Sequence, residues 1–469
     1  MIGMSAILKE LIRLLPPDQV VTDPNELLVY ESDGFTIARA RPAAVVFPQS
    51  VEEVVRVVKF LGERGVQIVP RGSGTGLAGG CVGFENGVIV CTARMERILK
   101  IDLPNRIAHV QAGVRNTQLS DAVAAAGGGA FHFAPDPSSQ RISTIGGNAA
   151  TNAGGIHTLK DFVSSNHVFA VEMVLSDASI LNTGPGPFDL TGLICGSEGT
   201  LGLITSLHVR LTPKSDGRRT CVGLFSTTSD ACQTVSEVIA RGILPAAMEM
   251  LDGTMVRVVD EAFHFGWDKR TRALVLTELD GVDALLDREL QDVIDIHQRH
   301  NAIDVQSSAD PETRDKLWKA RKGAFAAIGR ISHSYCTQDA CVPRSALAGV
   351  LARIDEIGRK YGLTIPSAFH AGDGNVHPIF LYDDRSEAEV QKVLHAAEEV
   401  LEYCLSVGGT VTGEHGIGVE KLHLMPRQFD RATMQAFISV KQAFDPDEKI
   451  NAGKLIPSAR HDLRLLKTA

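Results

Sequence analysis

The sequence predicts an α+β protein of more than one folding unit, and three observations carry that prediction. Strand-like and helix-like segments alternate from Ala43 onward. A polar, turn-rich stretch, Pro213-Lys-Ser-Asp-Gly-Arg-Arg219, then interrupts the pattern as interdomain joints do. Beyond it, strands near 220–226, 272–280 and 302–308 alternate with helices near 229–241, 284–299 and 312–329. The length of 469 residues accommodates two large units or three ordinary ones.

Taken in order, the first segment places Ile7, Leu8, Leu11, Ile12, Leu14 and Leu15 at helical spacing and stops at Pro16-Pro17, which reads as a surface helix. It lacks the uninterrupted apolar centre of a secretory signal, so a cytosolic protein is expected. Ala43–Phe47 is strand-like, and Val51, Val54, Val55, Val58 and Leu61 make one apolar stripe of a following helix. Val66–Val69 is a second strand, then come a glycine-rich run at 71–80, strands at Gly87–Cys91, Ile98–Asp102 and Ile107–Gln111, and a helix from about Gln118 to Ala126. A second glycine-rich stretch at 146–155 precedes strands near Ala170–Leu175 and Leu203–Leu211, with Ser197-Glu-Gly-Thr-Leu-Gly202 between them.

Composition narrows the function. With 47 Lys plus Arg against 56 Asp plus Glu, the net charge is −9, which disfavours a broad nucleic-acid or anionic-lipid surface. No apolar stretch approaches the ~18 residues of a membrane span. The eight cysteines (81, 91, 195, 221, 232, 336, 341, 404) form no C-x-x-C pair and match no zinc or ferredoxin spacing. Free, buried thiols are expected, and redox chemistry here has no iron–sulfur relay of its own.

Gly74-Thr-Gly-Leu-Ala-Gly79 fits the G-x-G-x-x-G pattern of dinucleotide folds, but that mechanism needs a helix starting inside the motif. Gly79-Gly80-Cys81-Val82-Gly83 continues instead with poor helix formers. Clustered glycines can still form an anion-binding nest, because no Cβ keeps the amides from a phosphate. Three such clusters precede residue 215, which suits a ligand with two phosphates and flat rings.

The segments Arg71–Gly80, Ala134–Gln140, Ile145-Gly-Gly-Asn148, Asn152-Ala-Gly-Gly155 and Gly196–Gly202 resemble the FAD-binding domain of the vanillyl-alcohol oxidase superfamily, within it the FAD-linked 2-hydroxy acid dehydrogenases. The resemblance runs from about residue 20 to 457. It implies a two-part FAD-binding domain at 1–215, an α+β substrate or cap domain at 216–410, and a C-terminal segment, 411–469, that returns to the flavin. It further implies cofactor contacts from Arg71, Gly72, Ser73, Gly74, Thr75, Gly76, Pro135, Asp136, Ser138, Gly146, Gly147, Asn148, Asn152, Gly154, Gly155, Glu198, Gly199, Gly202 and Ile204. The chain departs from the family at Asp161-Phe162, where Tyr-Gly is usual, and at Asn451-Ala-Gly-Lys454, where Asn-Pro-Gly-Lys is usual. No histidine lies between Arg71 and Gly80, so dissociable rather than covalent FAD is expected.

His370-Ala-Gly-Asp-Gly-Asn-Val-His377 sits between strand-like runs Leu363–Phe369 and Val376–Tyr382. If those runs pair across the turn, the two imidazoles stand opposite one another at roughly 5 Å between Cβ atoms, near enough to share a metal. Gly413-Glu-His-Gly-Ile-Gly418 adds a carboxylate and a third imidazole on a backbone freed by glycine. His370, His377 and Glu414 would make a His₂Glu site with His415 left as base, and the plain alternative is a charged surface turn. The resemblance implies that same division of roles, with one divalent metal: Zn²⁺ fits the donors, and Mn²⁺ or Fe²⁺ remain open. Arg321, on a helix, matches the position from which relatives bind substrate carboxylate.

The expected reaction is oxidation of a small or apolar 2-hydroxy acid such as glycolate or D-lactate to the 2-oxo acid. His415 removes the hydroxyl proton and hydride passes to flavin N5. Electrons then leave to a separate acceptor, a redox protein or iron–sulfur subunit. The rivals are a D-2-hydroxyglutarate-type enzyme, an FAD-binding subunit active only within a larger oxidase complex, and a non-haem metal oxygenase, the last of which leaves the glycine clusters unexplained. Relatives that take 2-hydroxyglutarate carry a hydroxyl residue and an Asn where this chain has Phe325 and Ile379, which points to an apolar distal pocket.

Overall fold

A computed structural model describes residues 4–186 and 188–457, and the chain divides into two compact units. The first comprises residues up to Gly155, Val163–Lys214 and the chain from Glu414 onward; the second comprises Ile156–Phe162 and Ser215–Gly413. The seven residues 156–162, inside the segment read from sequence as flavin domain, thus pack with the second unit.

In the first unit, one sheet has the order Val20–Val21, Ala44–Val46, Val88–Cys91, Ile68–Arg71, antiparallel at the first pair and parallel thereafter. The parallel strands are short apolar runs, as sheets covered on both faces require. The crossover is the helix Val51–Gly62, started by Ser50, whose hydroxyl accepts from the Glu53 amide; such a cap is worth about 1 kcal/mol. Its stripe of Val54, Val57, Val58 and Leu61 is buried against Ala44, Val46, Ile68 and Val88. The second sheet, Ile98–Asp102, Ile107–Gln111, Leu203–Arg210, Val168–Val174 and Ile180–Asn182, is wholly antiparallel. It buries one face, with Val110, Val171 and Leu207, as alternation predicts. The chain comes back to the first sheet at its end, where Ile450 bridges Ile68 in parallel.

The second unit is built on a seven-stranded sheet in the order Ala302–Ser308, Gly217–Phe225, Ala273–Gly281, Ala247–Asp252, Ala368–His370, Asn375–Val376, Ala340–Cys341. One face packs on Gly253–Phe263 and Pro311–Lys322 through Leu251, Leu274, Leu276, Met255 and Trp318. The helix expected over 312–329 is two helices, Pro311–Lys322 and Ala324–Ile328, meeting at Gly323. A Cβ at Gly323 would sit 2.5 Å from the Phe263 ring, so glycine is needed for the close packing, and the axis breaks there. The second glycine-rich stretch is likewise not an open loop throughout: Ile145–Thr151 is helical and capped by Thr144, and its Gly146 lies against Ala112, where a Cβ would approach to 2.6 Å.

Phe162, at the departure from the family pattern, has φ +63° and ψ −169°, a conformation glycine tolerates and Phe does not. Such a residue costs on the order of 1–3 kcal/mol. Among the described residues, no helix is long and apolar enough to cross a membrane, and each of the eight cysteines is free.

Candidate active site

Within the first unit, Arg71 ends a strand and the chain runs without regular structure from Gly72 to Gly83. The absence of a helix here removes the dinucleotide-fold reading. The loop wraps its own arginine: the Arg71 guanidinium donates to Ser32 O at 2.9 Å, and a Cβ at Gly74 would run into it. Ser73 Oγ donates to Ile142 O, and Gly76 O accepts from the Gly34 amide. Among the described residues, no backbone amide from Ser73 to Gly80 donates a hydrogen bond, and Gly74 and Gly79 adopt φ of +73° and +75°. A row of unspent amides on a partly exposed loop fits a pyrophosphate.

The other flavin candidates surround this loop in the same unit. Gly72 abuts Thr144, the cap of the short helix carrying Gly146, Gly147 and Asn148; the Asn148 side-chain nitrogen is buried with no hydrogen-bond partner, as a ligand contact would leave it. Asn152 ends that helix at φ +52°, and Gly155 brings the chain against Asp136, where a Cβ would sit 2.5 Å from the carbonyl oxygen. Pro135 is fixed through its carbonyl by Asn116 at 2.7 Å. Gly199 turns at φ +69° against Pro70, and Gly202 lies close to Met173. Ile204 lies on the strand Leu203–Arg210 with its side chain in the apolar core.

Glu198 behaves differently from its neighbours. Its side chain is buried, and its two oxygens accept from the amides of Ile417 and Gly418, each at 2.7 Å. Burial pushes this carboxyl up, against the two amides and the charges of Lys421 and Lys454. The loop it holds carries the half-buried His415.

In the second unit, Asp373 Oδ1 accepts from the Asn375 amide and Gly374 takes φ +81°, closing a tight hairpin. Its register pairs His370 with Asn375, not with His377, because His377 falls after the short strand Asn375–Val376 has ended. The imidazoles therefore do not face each other across a ladder but meet edge to face, centroids 4.9 Å apart at 83°. Both are buried.

Two residues that sequence reasoning missed set this geometry. Glu249, 1% exposed, accepts from His370 Nδ1 at 2.7 Å and from Arg321 Nε at 2.6 Å. Burial opposes its ionisation, and His370 and Arg321 outweigh that, holding the carboxyl below its usual range. With Nδ1–H given to Glu249, His370 presents Nε2 as its ligand atom. Glu278 does the same for the helix of Arg321: it accepts from Trp318 Nε1 at 2.7 Å, with Arg218 at 3.2 Å. Burial pushes the Glu278 carboxyl up, but the hydrogen bond from His157 and the charge of Arg218 bring it down to about 2. A polar helix is thus pinned to the sheet at Trp318 and Arg321 by two buried carboxylates. Arg321 is 8% exposed, and among the described residues its two terminal nitrogens make no hydrogen bond, an arrangement suited to an incoming carboxylate. The available signal was an acid flanked by methionines in the middle of the strand Ala247–Asp252, since unpaired buried carboxylates are rare.

Gly413 closes the second unit. Its amide donates to Asp339 at 2.6 Å, and a Cβ on it would meet the Asn375 amide group at 2.6 Å. One peptide bond further, Glu414 has a carboxylate oxygen that lies with ligand nitrogens of His370 and His377, all within 4.8 Å of one another. Two imidazoles and a carboxylate are a donor set that suits Zn²⁺, and this was the only such group found among the described residues.

The glycine-loop sheet, the antiparallel second sheet and the returning C-terminal segment define a flavoprotein of the two-part FAD-binding type. The 4-ethylphenol oxidase from Gulosibacter chungangensis superposes with a TM-score of 0.82 over 98% of both chains at 17% identity, a likeness of fold. Residues 42–184 match the FAD binding domain, and residues 215–455 match the C-terminal domain of FAD linked oxidases. The glycolate oxidase subunit GlcD of Escherichia coli (strain K12) is 39% identical over 463 residues, 97% of this chain and 92% of that one. The D-lactate dehydrogenase of Archaeoglobus fulgidus is 35% identical over 88% of this chain and 91% of its own. The chain belongs to the FAD-linked oxidase family and is an FAD-dependent oxidoreductase.

Proposed function

We propose that this enzyme oxidises a small or apolar 2-hydroxy acid, glycolate or D-lactate being the simplest, to the 2-oxo acid. The observation that carries the reading is the buried Arg321, whose open fork and whose tie through Glu249 to His370 put a carboxylate anchor beside a metal-ligand set. FAD supplies a two-electron oxidant and a divalent ion supplies Lewis acidity. Arg321 binds the substrate carboxylate, and Glu249 keeps that arginine and His370 in fixed relation. His370, His377 and Glu414 would hold the ion, and His415 takes the hydroxyl proton as general base.

Phe325 and Ile379 support an apolar remainder of the substrate. Both side chains lie in the apolar cluster with Trp318, Leu381 and Phe263; Phe325 is half-buried there, and Ile379 backs it as a fully buried core residue. The eight cysteines are free, and among the described residues none belongs to a group of three metal-ligating side chains, which supports electron exit to a separate acceptor, such as an iron–sulfur subunit of a larger complex. The test is anaerobic mixing of the oxidised holoenzyme with each acid, followed by flavin absorbance. Bleaching by glycolate or D-lactate supports the proposal, and bleaching by none of a panel of short 2-hydroxy acids refutes it.

A further inference from the structure

We propose that Glu198 is a positioning residue for the His415 loop rather than a flavin contact; the inference rests on His415 being the base proposed above. The consecutive amides of Ile417 and Gly418 form a small anion nest, and the Glu198 carboxylate fills it with both oxygens at 2.7 Å. Each oxygen faces a donor, so the carboxylate cannot turn to another ligand without abandoning one amide in a buried site. Gly416, at φ +89°, allows the approach, because a Cβ there would sit 2.6 Å from Glu198 Oε1.

Glu198 is itself held from behind. Its φ is +51°, a left-handed conformation that a non-glycine residue keeps only when its surroundings impose it. Those surroundings are Ala150 O, which accepts from the Glu198 amide at 2.7 Å, and Asn451 Nδ2, which donates to Glu198 O at 2.8 Å and to Gly80 O at 2.9 Å. The His415 loop is also tied to the glycine loop directly, since the Val419 amide donates to Ala78 O at 3.0 Å. Glycine loop, Glu198 and His415 loop therefore form one hydrogen-bonded knot. The base takes its place from the element that cradles the pyrophosphate.

The experiment uses FAD-loaded enzyme with Glu198→Gln and Glu198→Asp. Gln turns an N–H toward one of the two donors, and Asp withdraws both oxygens by a methylene. Amide exchange at Ile417 and Gly418 should quicken about tenfold or more, as for a loop released locally. The turnover number should fall about a hundredfold, the effect of a displaced catalytic group, while KM and FAD content stay near wild type. Loss of FAD with Ile417 and Gly418 still protected would overturn the proposal, as would unchanged exchange with unchanged turnover. Gly416→Ala pushes on the same carboxylate without altering it and should reproduce the pattern if the Glu198 variants do not fold; normal exchange and turnover in Gly416→Ala would also overturn it. His415→Ala separates the two readings. If it keeps full turnover, the base assignment fails, whereas the exchange data still decide what Glu198 holds.

Discussion

Replacing Glu249 is the sharpest perturbation this site offers, because one carboxylate serves two functional side chains. At 2.6 Å, with an effective dielectric of about 20, its attraction to Arg321 is about 6 kcal/mol. Desolvating both charges consumes part of that, and breaking such a buried pair from one side leaves a net loss of about 3–5 kcal/mol. Glu249→Gln keeps the shape but offers a single acceptor to two donors, so stability should fall by about 3 kcal/mol in urea titrations. His370 loses its orienting partner at the same time, and metal affinity should drop about 10–100-fold. Both effects are measurable on one preparation, by unfolding and by metal content after dialysis against a chelator. Glu249→Gln with Arg321→Met should recover stability, since an apolar replacement of a whole buried pair is near neutral. A double-mutant coupling below about 0.5 kcal/mol, with metal retained, would refute the argument that Glu249 bridges the two.

His377→Ala should remove the metal and most turnover while FAD stays bound, and His415→Ala should keep metal yet lose about two to four orders of magnitude in rate; metal analysis of both variants beside flavin absorbance decides this. Across a panel of acids with an artificial acceptor, glycolate, D-lactate and larger apolar acids should exceed D-2-hydroxyglutarate and malate in kcat/KM; a tenfold preference for the dicarboxylates, about 1.4 kcal/mol, would show that the substrate's distal end does not meet apolar side chains. His297 is fully buried with neither ring nitrogen hydrogen-bonded, and burial lowers its pKa to about 4. Because the unfolded chain takes up this proton near pH 6.5 and the folded chain does not until about 4, stability is whole above that window and is lost as pH falls through it. Between pH 7 and 5 this one group should cost about 2 kcal/mol, and His297→Leu should flatten that slope in urea unfolding at the two pH values.

The parts of this protein legible in sequence are those governed by near neighbours. The stripe of Val54, Val58 and Leu61, and the alternation at Ile107–Gln111, report which face is buried because side-chain direction repeats every few residues. Glycine clusters report backbone approach for the same local reason, and the motifs at 370–377 and 413–418 contain the two imidazoles and the carboxylate whose ligand atoms lie within 4.8 Å of one another. What sequence alone could not decide was register and partnership. Whether His370 would pair with His377 or with Asn375 depended on where a two-residue strand ended, and the break at Gly323 depended on Phe263, about 60 residues earlier in the chain. Glu249 lies 72 residues from Arg321 and 121 from His370. Only the order of strands in a sheet brings them together, and the free energy that selects that order is spread over the whole apolar core, so no local pattern of residues records it.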